Sequence, residues 1–208
     1  MKEQQDYIRD IAEMRSMMER SSKFLSLSGL AGVMAGIYAL LGAFVAYRFL
    51  HYNPNRFAGY HPENRPLPAD LLTLMLLALC VLALAVGTAI FLSANKAKKR
   101  GEKIWNATSR RLLAHMAVPL VAGGLLILVI LSKGLPGLVA PFSLIFYGLA
   151  LFNASTFTYD EVKSLGLIEI GLGLFSAWFV EYGLVCWAVG FGIVHIVYGI
   201  YMHYRYER

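Results

Sequence analysis

Six long apolar runs, separated by short charged stretches, dominate this sequence. A helix that crosses the roughly 30 Å hydrocarbon layer of a membrane needs about 20 mostly apolar residues, because each residue advances it by about 1.5 Å. The runs reach about that length, and a backbone inside lipid must satisfy its own hydrogen bonds, so each run predicts a helix. The expected spans are residues 24–47, 69–93, 112–131, 138–157, 162–180 and 183–203.

The composition agrees with a membrane protein. Charged residues make up 15% of the 208 residues, whereas a soluble domain carries about 25%, and the mean hydropathy is +0.56. Together with the runs, these values exclude a secreted disulfide scaffold, a disordered chain and an ordinary soluble enzyme. We therefore expect an all-α, polytopic membrane protein. Residues 24–208 are expected to form a bundle of six transmembrane helices, preceded by a cytoplasmic amphipathic helix over residues 1–23.

Lysine and arginine are distributed unevenly between the two sides of the predicted bundle. Fifteen of the 19 fall in the N-terminal segment, the loops after the second and fourth spans and the C-terminal tail, and four fall on the other side. Because loops rich in Lys and Arg stay in the cytoplasm, both termini are expected there. The same distribution explains the net charge of +6 without nucleic-acid binding. The head is too long and too acidic for a cleavable signal peptide, so the first span is expected to anchor the chain.

Two features are expected on the cytoplasmic side. Tyr7, Ile11, Met14 and Met18 follow 4-3-4 spacing, which predicts an amphipathic helix. Such a helix fits either docking to a cytoplasmic protein partner through residues 3–23 or packing against the bundle or the membrane surface. The loop between the second and third spans is strongly basic and is expected to meet anionic lipid headgroups or a partner. Its cations are Lys96, Lys98, Lys99, Arg100, Lys103, Arg110 and Arg111.

Small residues recur at helical spacing in three of the spans. Helices in lipid associate through close backbone contact at such residues, so these faces are expected to pack. The glycines concerned are Gly32 and Gly36 in the first span, Gly166 and Gly173 in the fifth, and Gly192 and Gly199 in the sixth. A homodimer through the first helix is left open. The short turns at residues 132–137 and 181–183 predict that helices 3 and 4 pair, and that helices 5 and 6 pair.

Glu169 and His195 are polar residues within the small faces of the fifth and sixth spans. Each lies thirteen residues from Tyr182, at the turn between these spans, so an antiparallel pair places them at similar depth and we expect them to touch. An intramembrane carboxylate costs roughly 2.5–3.5 kcal/mol on insertion scales, which favours a functional role such as proton exchange with the histidine. A structural hydrogen bond between the helices is the alternative. His115 and Asn153 are further candidates to line one polar pocket with this pair.

Motifs of recognised catalytic chemistry are absent from the sequence. It contains no His-Glu-x-x-His, Gly-x-Ser-x-Gly, phosphate-binding loop or dinucleotide glycine motif, and neither a metal nor a cofactor is expected. The first hypothesis is a non-enzymatic membrane protein with a regulatory or scaffolding role through its cytoplasmic helix and basic loop. The second is a small proton-coupled transporter or channel that uses Glu169 and His195. A membrane enzyme acting on lipid or quinone is the third.

Three stretches of the chain carry a resemblance to known proteins. They are residues 6–29, which begin Asp6-Tyr-Ile-Arg-Asp10, the run Arg110-Arg-Leu-Leu113, and the ending at residues 199–208. The chain resembles a family of uncharacterised bacterial inner-membrane proteins over most of its length. That family has no assigned activity, so the resemblance implies a bacterial, multi-pass, inner-membrane protein and carries over no site residues.

Overall fold

The computed structural model describes residues 28–52, 69–99, 101 and 105–206, and this part of the chain is helical with no strand. The expected cytoplasmic helix at residues 1–23 lies outside the described residues. The helices are α1 (Gly29–Arg48), α2 (Ala69–Lys99), α3 (Ala107–Ser132), α4 (Val139–Ala154), α5 (Glu161–Trp178), α6 (Gly183–Trp187) and α7 (His195–Tyr206). A π-helical segment, Ala188–Val194, joins α6 to α7, and short 3-10 turns at Pro136–Leu138, Ser155–Phe157 and Val180–Tyr182 lie between the other helices.

Within the described residues, five segments are long and apolar enough to cross a membrane. They are Gly29–Arg48, Ala69–Lys99, Ala107–Ser132, Pro136–Phe157 and Val180–Tyr206. Helix α5 is not among them, because its 18 residues include three charged ones, Glu161, Lys163 and Glu169. The expectation of an all-helical chain with several helices able to span a membrane is confirmed. The count of six stays a prediction.

The start of α3 differs from the expected boundary. The helix begins at Ala107, five residues before the predicted start at residue 112. Asn106 Oδ1 accepts a hydrogen bond from the Ser109 N–H at 2.8 Å, and Ser109 Oγ accepts one from the Asn106 N–H at 2.9 Å. This capping box satisfies N–H groups that have no partner inside the helix. A polar first turn of this kind is invisible to a search for apolar runs.

The predicted small face of α1 packs against the π-helical segment and α7. A Cβ atom added to Gly199 would lie 2.5 Å from the carbonyl oxygen of Gly29, and one added to Gly36 would lie 2.6 Å from that of Gly192. A Cβ on Gly32 would approach Gly199 Cα to 3.3 Å. The helices meet backbone to backbone, as expected where lipid supplies no hydrophobic drive for association. A homodimer through α1 stays a prediction, and it would have to use another face of that helix.

Helices α4 and α5 form the most extensive helix pair in the described bundle. A Cβ on Gly148 would lie 2.6 Å from the Gly166 carbonyl oxygen, and one on Gly166 would lie 2.6 Å from that of Gly148. Gly173 meets Pro141 and Ile145 of α4 in the same way. Helix α3 packs on α4, as its short turn predicts. Helix α5 also touches α6, as the short turn between them predicts. Its main partner is nevertheless α4, and the main partner of the sixth span is α1.

Helix α2 lies at the edge of the bundle and packs mainly on α1. Its contacts include Val81 against Gly42 and a 3.3 Å hydrogen bond between the Thr88 and Tyr38 hydroxyls. Most of its apolar side chains are exposed. In a membrane, such a surface faces lipid tails, which are as apolar as the side chains themselves.

A glycine contact can be tested by substituting one glycine that is in contact and one that is open. We expect Gly199→Ala to destabilise the protein, because its Cβ would collide with backbone atoms of α1 and overpacking costs about 1–3 kcal/mol. Gly171→Ala is the matched control, since nothing lies within 4 Å of an added Cβ there. Alanine favours a helix over glycine by about 1 kcal/mol. Thermal unfolding of the detergent-purified variants measures both effects, and equal midpoints would contradict the α1–α7 contact.

Candidate functional site

A fully buried carboxyl lies at the centre of the bundle. Glu169 is midway along α5 and has 0% exposed surface. Glycines before and after it, Gly166 and Gly173, let α4 approach closely enough to cover this face of the helix. Within the described part of the chain, neither Oε1 nor Oε2 of Glu169 has a hydrogen-bond partner. A buried polar group left unsatisfied costs about 1–3 kcal/mol, so this carboxyl is an expensive feature of the fold.

His195 is the nearest ionisable neighbour of Glu169. Its Nδ1 lies 3.3 Å from Glu169 Oε1 and 2.9 Å from the carbonyl oxygen of Gly190, and its Nε2 lies 2.9 Å from the Tyr147 hydroxyl oxygen. A carbonyl oxygen only accepts, so Nδ1 carries a proton and donates it to Gly190. In the neutral ring, Nε2 then accepts the hydroxyl proton of Tyr147. When the ring is charged, both nitrogens donate and Tyr147 accepts.

The π-helical segment brings the Gly190 carbonyl to the histidine. The Gly190 carbonyl accepts a hydrogen bond from the side chain of His195, five residues further along the chain. This spacing fits the wider π-helical turn. Gly190 also makes room for the carboxyl, because a Cβ there would lie 2.5 Å from Glu169 Oε2 and 2.8 Å from Leu144 Cδ2. Short π-helical stretches within helices occur frequently at functional sites. Here the segment links the position of Glu169 to the hydrogen bonding of His195.

Apolar side chains enclose the polar atoms of the site. The Phe191 ring stacks on the His195 imidazole, with centroids 5.8 Å apart and planes at 24°, and its centroid lies 5.0 Å from that of Tyr147. Leu144 is fully buried beside the carboxyl. Such surroundings lower the local dielectric, which strengthens hydrogen bonds and makes an unpaired polar atom costly.

The arrangement is suited to holding a proton. A carboxyl and an imidazole at this distance can hold one proton between them, either as carboxylate and imidazolium or as carboxylic acid and neutral imidazole, and both forms carry the same total charge. Adding or removing one proton therefore changes the charge of an enclosed site by a full unit. Histidine exchanges protons near neutral pH, and the Tyr147 hydroxyl accepts or donates according to the state of the ring.

The structure brings together two of the four predicted pocket residues. Glu169 and His195 are both buried and in contact. His115 and Asn153 are both exposed, and His115 lies against the Phe157 ring with centroids 4.7 Å apart. The expected four-residue pocket is therefore not formed, because these two side chains lie on the outside of α3 and α4.

Tyr147 is the site residue that the sequence analysis missed. A hydroxyl in the middle of an apolar span needs a partner, since a buried Tyr O–H usually finds one. Its position immediately before Gly148, where α4 comes closest to α5, is a second signal. Neither signal identifies His195 as the partner without the arrangement of α4 and α7.

The basic residues lie on helix ends away from this site. Lys98 and Lys99 end α2, Arg110 and Arg111 begin α3, and all four are exposed. Lys96 lies over the Tyr159 ring, 5.8 Å from its centroid. The remaining predicted members, Arg100 and Lys103, lie outside the described residues. Within the described residues of the chain, no group of three or more His, Cys, Asp or Glu is placed to hold a metal ion.

Comparison with known proteins gave no match to a protein-family model, a curated protein or a solved structure. The resemblance to bacterial inner-membrane proteins accordingly stays a prediction. The chemistry of this chain has to be inferred from the side chains around Glu169 and His195.

The hydrogen bond from Tyr147 to His195 can be tested by removing one hydroxyl. We expect Tyr147→Phe to lower the free energy of unfolding by about 0.5–1.5 kcal/mol, the usual net contribution of one hydrogen bond. Tyr182→Phe is the matched control, because Tyr182 is exposed at the turn before α6. Thermal unfolding in detergent measures the difference. An equal loss in the two variants would show that the Tyr147 hydroxyl makes no stabilising bond.

Proposed function

We propose that this protein resides in the bacterial inner membrane with both termini in the cytoplasm, and that α5, the fifth span along the chain, brings the number of transmembrane helices to six. The 18 residues of α5 extend about 27 Å at about 1.5 Å per residue, close to the thickness of the hydrocarbon layer. Glu169 is covered by neighbouring helices rather than exposed to lipid. The excess of Lys and Arg in alternate loops supports the orientation, and the spacing of residues 7–18 supports a cytoplasmic amphipathic helix.

We propose further that the protein is a small proton-coupled transporter or channel in which Glu169 and His195 bind the proton. One observation carries this proposal: a fully buried carboxyl, 3.3 Å from an imidazole, whose two oxygens have no hydrogen-bond partner among the described residues. A pair that served only to join helices would be expected to fill its hydrogen-bonding capacity. An ionisable group at this depth is costly and is a functional candidate by default.

Substitution of the carboxyl separates the transport role from a structural one. We expect Glu169→Gln to abolish proton flux driven by a pH gradient in proteoliposomes, because the amide has the shape of the acid but does not ionise near neutral pH. Glu181→Gln removes an exposed carboxylate near the α5–α6 turn and should leave the flux unchanged. A dye enclosed in the vesicles measures the flux. If Glu169→Gln retains the flux and only shifts the unfolding temperature, the pair is a structural bond.

A second candidate function is the regulatory or scaffolding role through the basic loop and the cytoplasmic helix. The observation that favours it is the set of four exposed cations, Lys98 and Lys99 at the end of α2 and Arg110 and Arg111 near the start of α3, on the two helices that residues 100–106 connect. Each Lys or Arg near an anionic membrane surface contributes about 1 kcal/mol of attraction. This surface therefore supports binding of anionic headgroups, with residues 3–23 available for a cytoplasmic protein partner.

Removal of these charges tests the second candidate. We expect replacement of the four cations by Gln to reduce the anionic phospholipid that remains bound to the purified protein, measured by native mass spectrometry. A double variant of Arg48 and Lys133, which the proposed topology places on the other side, is the control. Equal lipid retention in the two variants would contradict a specific basic surface. For the protein partner, loss of crosslinked products on deletion of residues 1–22 is the expected result.

A further inference from the structure

A row of polar atoms leads from the Glu169–His195 site towards the N-terminal end of α5. The Tyr198 hydroxyl and Glu161 Oε2 are both buried, and neither has a hydrogen-bond partner in the described part of the chain. Tyr198 follows His195 by three residues, so both point from one face of α7. Tyr198 and Tyr147 pack against one buried cluster that includes Val162 and Leu165, which lie between Glu161 and Glu169 on α5. Since Tyr147 is bonded to His195 Nε2, the row runs from Glu161 through two tyrosines to the histidine.

Glu161 and Glu169 are too far apart for direct contact, and the row of polar atoms lies between them. Glu161 precedes Glu169 by eight residues on α5, which corresponds to about 12 Å along the helix. Leu165 is buried between them on the same face. The tyrosines come from α4 and α7, so the polar route passes beside this leucine. A hydroxyl both accepts and donates a proton, and the unfilled capacity of Tyr198 and Glu161 also suits a bridging water.

The outer end of the row reaches the surface. The Glu161 side chain is 20% exposed, its Oε1 accepts a hydrogen bond from the Tyr206 hydroxyl at 2.7 Å, and it lies 3.4 Å from Arg205 Nη1. The Tyr206 ring packs on Tyr159, which in turn lies beneath Lys96 of α2. Within the described residues, these groups and Tyr198 are the charged and titratable ones around Glu161. Glu169 itself is faced by His195 from α7 and Tyr147 from α4.

The other side of the site lacks such a row. Towards Trp178, Gly173 of α5 packs against Ile145 and the fully buried Pro141 of α4. Ser176 is the polar residue there, and its hydroxyl donates to the Gly173 carbonyl at 3.1 Å. A satisfied hydroxyl among apolar side chains offers no route for a proton, so the two sides of Glu169 are chemically different.

Resting on the proposed function, we propose that Glu161, Tyr198 and Tyr147 form the proton-entry path to Glu169 and His195, open only at the N-terminal end of α5. In each transfer the Glu161 carboxyl gives a proton to the Tyr198 oxygen across one bridging water, and Tyr198 releases its own across a second bridging water to Tyr147. Tyr147 then releases its proton to His195 Nε2, and Nδ1 passes its proton to Glu169 Oε1. One proton moves from Glu161 to Glu169, and each tyrosine ends with one proton. In the proposed orientation this entry faces the cytoplasm.

Exchange of the His195 ring N–H with heavy water tests the path directly. The full-length protein is labelled with ¹⁵N-histidine, and the His195 signal is identified by its loss in His195→Gln. We expect Tyr198→Phe to slow the exchange on the order of 100-fold, the low end of what a positioned proton-transfer group contributes. Phenylalanine keeps the ring packing, and Glu161→Gln, whose amide oxygen still accepts from Tyr206, should slow exchange as well.

Two control variants and two measurements decide the outcome. Tyr204→Phe, on the exposed side of α7, and Ser176→Ala, on the closed side of the site, should leave the exchange rate unchanged. Backbone amide exchange of α7 should be the same in all variants, which excludes a general loosening of the helix. Equal His195 exchange in the wild type and Tyr198→Phe overturns the path, as does equal slowing in Ser176→Ala. If exchange slows as expected while proteoliposomes show no flux, the path stands and the transport function fails.

Discussion

Close contact between glycine backbones is the interaction on which the rest of this structure depends. In lipid, apolar side chains gain nothing by leaving their surroundings, so helices are held by packing at short range. Gly29, Gly36, Gly192 and Gly199 bring α1 against the sixth span, and Gly148 and Gly166 bring α4 against α5. The second of these contacts covers one side of Glu169, and Gly190 and His195 of the sixth span lie against its carboxyl. Burial of the carboxyl is thus a consequence of how closely three helical segments approach one another.

The site itself is assembled from three parts of the chain that are each ordinary alone. A glutamate on α5, a tyrosine on α4 and a histidine after the π-helical segment meet at one depth. What distinguishes them together is an imbalance. Both histidine nitrogens have partners, whereas both carboxyl oxygens lack a hydrogen bond within the described residues. The unfilled capacity lies on the one group whose charge is hardest to bury.

The sequence predicted the helical class and the meeting of Glu169 with His195, because apolar run length and position relative to a turn are local properties. It did not predict Tyr147, which depends on how α4 is rotated against α7. The prediction that His115 and Asn153 line the pocket was wrong for the same reason, since depth along a helix says nothing about the face on which a side chain lies. The pairing of the fifth and sixth spans was only partly right. A short turn brings two helix ends together, but glycine faces decide which helices pack along their length.

The π-helical segment has a mechanical consequence. Each π-helical hydrogen bond spans one more residue than an α-helical hydrogen bond. Conversion of the segment to regular α geometry would shift the register of the helix by one residue. That shift would rotate α7 relative to α6 by about 100°, the angle between successive residues. That rotation would move the His195 imidazole away from Tyr147 and would break the contact between Gly199 and Gly29. The geometry of the seven residues Ala188–Val194 therefore sets both the position of His195 beside Tyr147 and the contact of Gly199 with Gly29.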